Sequence, residues 1–211
     1  MRRLPVYLLL DTSGSMMGEA IEATKNGLQL LVSNLRTDPY ALETAYLSVI
    51  TFGSEATQIV PLTELTAFQV PNLVASGQTA LGKALSLAAQ RIDVEVAKTT
   101  ADAKGDWKPL VFIMTDGVPT DDWRAGLRDF QAAKPGLVVC CAAGGGETSV
   151  LKEISEVVVA LDTADSATMK AFFKWVSASI STSSKKVDSG QEEVKGAGDL
   201  PPPPSEINVV L

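Results

Sequence analysis

Asp11-Thr12-Ser13-Gly14-Ser15 places one carboxylate and two hydroxyls within five residues. Carboxylate and hydroxyl oxygens are the ligands a hard cation prefers, and Gly14 lets the chain turn tightly around one. Two further oxygen donors stand at comparable places. Thr79 follows the glycine-containing stretch Ala75-Ser76-Gly77-Gln78, and Asp116-Gly117 follows the apolar run Pro109 to Thr115. Asp11, Ser13, Ser15, Thr79 and Asp116 together make an oxygen-only set with two carboxylates and three hydroxyls. That set suits Mg2+ or Mn2+ keeping part of its water, with metal–oxygen distances of about 2.0–2.1 Å for Mg2+. Calcium generally takes more carboxylate and carbonyl ligands. Taken one at a time, the same residues are ordinary turn and helix-cap chemistry, so the reading depends on their being brought together.

The elements that would bring them together can be read along the chain. Leu4 to Leu10 is an apolar run that predicts a buried strand ending at Asp11, and apolar residues from Ala20 to Leu35 recur at helical spacing up to a stop at Asp38-Pro39. Ala45 to Phe52 is strand-like, and Thr57 to Leu62 returns so soon after it that the pair reads as a hairpin, hence an antiparallel edge strand. A helix is predicted from Leu81 to Ala97, then the strand Pro109 to Thr115, then a helix through Phe130 with Asp121 as its N-cap. Gly136 to Ala143 is a strand, Thr148 to Ser155 helical, Val157 to Leu161 a short strand and Ala164 to Ser181 the final helix. Alternating strands and helices imply an α/β fold: a mostly parallel, doubly wound sheet with helices on both faces. In such a sheet the residues just after each strand gather on one edge, where ligands bind.

Residues 1–182 read as one domain and 183–211 as a linker with a proline-rich tail. The stretch from Ser183 to Gly198 is polar with little to bury, and Pro201 to Pro204 favours an extended polyproline II segment. The end, Glu206 to Leu211, is strand-like and could add to a sheet edge, its own or a partner's.

Composition removes several functions. The net charge of −7 argues against nucleic acid as the main partner. The chain has no histidine, which removes Ser-His-Asp and Cys-His catalysis and His-ligated zinc. Cys140 and Cys141 are neighbours in an apolar run and point to opposite faces, so they read as buried, reduced residues of a cytoplasmic protein. The start, Met1-Arg2-Arg3 followed by Leu4 to Leu10, imitates a signal peptide. Its apolar part is short and interrupted by Pro5, and no apolar stretch is long enough to span a membrane.

D-T-S-G-S at 11–15, G-Q-T at 77–79 and T-D-G at 115–117 resemble the von Willebrand factor type A domain and its metal-ion-dependent adhesion site. The resemblance covers roughly residues 4 to 182. Within that superfamily D-T-S-G-S-M, G-x-T-A-L-G-x-A-L and I-M-T-D-G-x-P-T-D are similar to bacterial tellurium-resistance TerY-like proteins. The resemblance implies a Rossmann-like sheet of six strands with the second hairpin strand at an edge. It implies that Ser13, Ser15 and Thr79 coordinate the metal directly, with Asp11 and Asp116 acting largely through bound water. One position would stay open for an Asp or Glu carboxylate of a partner protein, and the final helix is the element that moves in members with switchable affinity.

The expected function is therefore a non-enzymatic, metal-dependent protein-binding adaptor in a tellurium- or stress-resistance complex. Its partners would be a kinase, a phosphatase or other resistance proteins. One rival is a phosphohydrolase forming an aspartyl-phosphate, but those resemble D-x-D, and Ser13 stands where the second acid would act. Another is a subunit regulating a kinase, a phosphatase or a chelatase-like ATPase. A nucleotide site at Gly144-Gly145-Gly146 lacks any phosphate-loop signature.

Overall fold

The computed structural model describes residues 2–189 and 196–210. Its first strand, β1 (Leu4–Asp11), lies inside the sheet and is buried at every position. That is the mark of a strand covered on both faces, and it explains the unbroken apolar run. α1 (Glu19–Arg36) follows, with Ile21, Leu28, Leu31 and Leu35 turned inward and acids in its first turn. A short helix, α2 (Pro39–Thr44), then leads into β2 (Ala45–Phe52) and the hairpin strand β3 (Ala56–Glu64). Beyond a long connection come α3 (Leu81–Glu95), β4 (Leu110–Thr115), α4 (Trp123–Ala132), β5 (Val138–Ala142), α5 (Ser149–Ile154), β6 (Val157–Ala160) and α6 (Ser166–Asp188). The chain closes with β7 (Asn208–Val210).

The sheet runs in the order β3-β2-β1-β4-β5-β6-β7. The pairs β1–β2, β1–β4, β4–β5 and β5–β6 are parallel, whereas β2–β3 and β6–β7 are antiparallel. Side chains alternate between two cores. Leu4, Val6, Leu8 and Leu10 pack beneath α1 and α6, while Tyr7, Leu9, Val111 and Ile113 pack beneath α3 and α4. From β1 the chain first winds outward through β2, then returns to lay β4 on the opposite side of β1. The crevice between the ends of β1 and β4 is therefore the topological switch point of the sheet.

The sheet has seven strands, not six, because the tail supplies β7. Val158, Val159 and Ala160 pair with Val210, Val209 and Asn208, and Asn208 reaches Asp162 at 3.0 Å. Of the two edges open to the tail, it takes its own. The final helix runs to Asp188 rather than Ser181, so a boundary after residue 182 falls inside α6. Polar composition hid the extra turns. Ser183 Oγ donates to the Ser179 carbonyl at 2.9 Å, which satisfies the hydroxyl along the helix itself, and Ser183, Ser184 and Val187 are buried. Residues 190–195, part of the expected linker, lie outside the described residues. Asp38-Pro39 does follow the end of α1, yet it also starts α2: Asp38 accepts from Tyr40 N at 2.9 Å, and Pro39 occupies the first turn, where its missing N–H costs nothing.

Candidate metal centre

Asp11 is the last residue of β1 and is fully buried. One carboxylate oxygen accepts from Ser13 N at 2.7 Å and the other from the Thr115 hydroxyl, at the end of β4. The carboxylate thus spans the switch point and fixes the turn that leaves β1. Ser13 Oγ lies 2.9 Å from Ser15 Oγ, and Ser15 Oγ donates to Asp116 Oδ1 at 2.7 Å. These contacts link the first and third motifs directly.

The second motif is held by backbone. Gly14 N donates to Gly77 O at 2.9 Å and Ser76 N to Thr12 O at 2.7 Å. Gly77 has φ +81, and a Cβ there would sit 2.3 Å from Ser54 Oγ, so both conformation and space require glycine. Thr79 is tied to the third motif by two bonds: its N–H donates to Thr120 Oγ1 at 3.2 Å, and its carbonyl accepts from Thr120 N at 2.9 Å. A Cβ placed on Gly117 would be 3.4 Å from Thr79 Oγ1 and 3.9 Å from Ser15 Oγ, so both hydroxyls border the same small space. Asp11, Ser13, Ser15, Thr79 and Asp116 are thereby brought to one cluster at the carboxyl ends of β1 and β4.

Electrostatics at the cluster are those of a site short of positive charge. Burial pushes the Asp11 carboxyl above its ordinary range, hydrogen bonds from Ser13 and Thr115 act against that, and the nearby Asp116 adds to it. Among the described residues no group of three His, Cys, Asp or Glu side chains converges. The donor set is hydroxyl-rich with two carboxylates, and it fits a small oxygen-seeking dication better than a thiolate- or imidazole-bound metal.

Asp121 has a different task from the expected one. Asp122 is the N-cap of α4, accepting from Ala125 N at 3.2 Å. Asp121 instead accepts from Gly82 N at 3.0 Å and Lys83 N at 2.9 Å, satisfying the free N–H groups at the start of α3. It therefore braces the helix that begins two residues after Thr79. Thr115 and Thr120 were also missed. Thr115 is a buried polar residue closing an otherwise apolar strand, and that misfit was the available signal.

The model of the von Willebrand factor type A domain matches residues 6–174. The chain belongs to the von Willebrand factor type A domain family. Similar solved structures include a von Willebrand factor type A protein from Catenulispora acidiphila, 21% identical with a TM-score of 0.66, covering 86% of this chain and 43% of that one. The pilus adhesin SpaC from Lactobacillus rhamnosus GG is 14% identical with a TM-score of 0.68, covering 86% and 31%. A proximal thread matrix protein from the mussel byssus, solved with a zinc-occupied MIDAS motif, is 17% identical with a TM-score of 0.59, covering 84% and 48%. The von Willebrand type A chain described here thus spans less than half the length of each, and the likeness is one of fold. No curated protein matches it. Domains of this family are often metal-dependent protein-interaction modules and are generally non-enzymatic. No helix among the described residues is long and apolar enough to cross a membrane.

Proposed function

We propose that this domain binds Mg2+, or Mn2+, through Ser13, Ser15 and Thr79 with Asp11 and Asp116 behind them, and uses it to hold an Asp or Glu of a partner protein. The observation that carries the reading is the hydrogen-bonded run from Ser13 through Ser15 to Asp116, which crosses the switch point at 2.9 and 2.7 Å. Bound there, the dication supplies an electrophilic position for an incoming carboxylate oxygen, because hydroxyl ligands neutralise little of its charge. The residues do the rest: Asp11 holds the turn, Thr115 and Ser13 N hold Asp11, and Asp121 holds the start of α3. The zinc-occupied motif of the byssus protein supports a divalent cation at this place in the fold.

The setting we propose is a cytoplasmic adaptor of a bacterial tellurium- or stress-resistance system. It rests on the motif similarity of the three loops and on two free, buried cysteines, which fit a reducing compartment. Burial raises both thiols well above the usual range, so direct thiol chemistry with tellurium is not part of this reading. The proposed partners are a kinase, a phosphatase or other resistance proteins presenting an acidic side chain. The test is capture from native lysate with Mg2+ or with EDTA, beside Thr79→Ala. A partner retained only with metal and only by the intact site is the expected result. Equal capture in all arms overturns the proposal.

A further inference from the structure

Among the described residues, three of the four most exposed large apolar side chains lie on the three loops that form the candidate metal centre. They are Met17 (67% exposed), Val74 (69%) and Val118 (59%). Met17 is two residues past Ser15, and Val118 two past Asp116, so each Cα lies within about 7 Å of a site residue's Cα. Val74 stands three residues ahead of Gly77, whose carbonyl is bonded to Gly14. Single exposed apolar residues are ordinary, but these three stand on loops that are hydrogen-bonded to one another around one polar cluster. The same edge carries exposed acids. Glu19 and Asp122 begin α1 and cap α4, and Glu147 adjoins Gly146, whose added Cβ would meet Asp116 O at 3.0 Å. These exposed acids disfavour additional carboxylates at this edge.

Resting on the metal-site reading, we infer that Met17, Val74 and Val118 form an apolar rim selecting a partner segment with one Asp or Glu flanked by apolar side chains. The charge pattern sets the occupant: a central carboxylate is attracted, adjacent apolar groups cover the rim, and further acids meet Glu19, Asp122 and Glu147. A polyacidic segment is the wrong ligand.

The test uses the full chain, 15N-labelled and titrated by NMR with three blocked tripeptides: Leu-Asp-Leu, Gly-Asp-Gly and Asp-Asp-Asp. Each is run with saturating Mg2+ and with EDTA, and Mg2+ binding is measured separately by calorimetry. With Mg2+, Leu-Asp-Leu should bind about tenfold tighter than Gly-Asp-Gly, and Asp-Asp-Asp no tighter than Gly-Asp-Gly. Met17→Ser with Val118→Ser should bring Leu-Asp-Leu down to the Gly-Asp-Gly level and leave Gly-Asp-Gly and Mg2+ binding unchanged. Both side chains are exposed, so these changes leave the fold intact. Equal binding of the first two peptides, a preference surviving the double substitution, or tightest binding of Asp-Asp-Asp overturns the rim while Mg2+ binding stands. Absence of Mg2+ binding overturns the metal-site reading, and the rim with it.

Discussion

Replacing Asp11 by Asn separates the stability of the fold from the demands of the site. Asp11 is fully buried, and its carboxyl is pushed above the ordinary range chiefly by burial, in spite of the hydrogen bonds from Ser13 and Thr115. The sum of its surroundings thus disfavours the charged form without metal. Each tenfold change in proton affinity is worth about 1.4 kcal/mol. Asn keeps an oxygen for Ser13 N, and Thr115 Oγ1 can accept from the new amide NH2 while redirecting its own proton to Gly117 O, 3.4 Å away. Stabilising substitutions commonly yield about 0.5–2 kcal/mol, and relief of this buried charge is expected within that range. In EDTA at neutral pH the variant should therefore melt higher than the parent by about 1–8 °C, at 2–4 °C per kcal/mol for a chain this long. With Mg2+ at 100 times its Kd the parent gains about 2.7 kcal/mol. The variant should gain far less, so the order of the two melting temperatures reverses. The sign with pH follows from the raised carboxyl. The stability conferred by protonating Asp11 is fully present below the unfolded value of about 3.9 and is lost as pH rises through the folded one. The advantage of Asn in EDTA should accordingly shrink as pH falls toward 4. Thermal melts of both proteins, with Mg2+ and with EDTA, across pH 4–8 read all three effects. A variant less stable than the parent in EDTA at pH 7, or one with an undiminished Mg2+ response, refutes the reasoning.

Gly126→Ala should cost about 1–3 kcal/mol by thermal melt, because its Cβ would lie 2.1 Å from the Gly82 carbonyl and must separate α3 from α4. Calorimetry should show weaker Mg2+ binding as well, since α3 begins beside Thr79. Cys140 and Cys141, fully buried with raised thiol values, should be unreactive toward a thiol reagent in the native protein, and both should react once it is unfolded in denaturant. Ile207→Ala, which empties a buried position beneath the tail, should cost about 2 kcal/mol or more. Its mark should be faster hydrogen exchange at Val158 to Ala160 than at β1.

Legibility in the sequence followed burial. β1 and β4 are apolar on both faces, and an acid ends the first and directly follows the second, so their type, their approximate ends and the location of Asp11 and Asp116 could be read directly. Thr79 was legible only through the glycine before it. Asp121 was misread because both its neighbour and itself can cap a helix, and only the approach of α3 decides which acid serves which helix. The end of α6 was misread because a serine bonded to the carbonyl four residues back has the same composition as a serine in a linker. β7 could be suspected from Ile207 to Leu211, but its partner depended on β6 being left as an open edge.

That last pairing bears on how the molecule avoids its own kind. β6 is Val-Val-Val-Ala, short, uncharged and rich in β-branched residues, the composition that templates strand addition between copies. β7 occupies its free backbone groups, and beside it Trp175 Nε1 donates to Pro201 O at 2.8 Å, anchoring a segment whose prolines cannot themselves donate to a growing sheet. A chain cut after residue 182 would keep every residue of the candidate metal centre and lose this cover. Such a fragment would self-associate through β6, and the metal-dependent capture it showed would be confounded by sheet-to-sheet pairing. In the full chain the tail covers the β6 edge, so sheet pairing through β6 does not compete with the proposed metal-dependent contact.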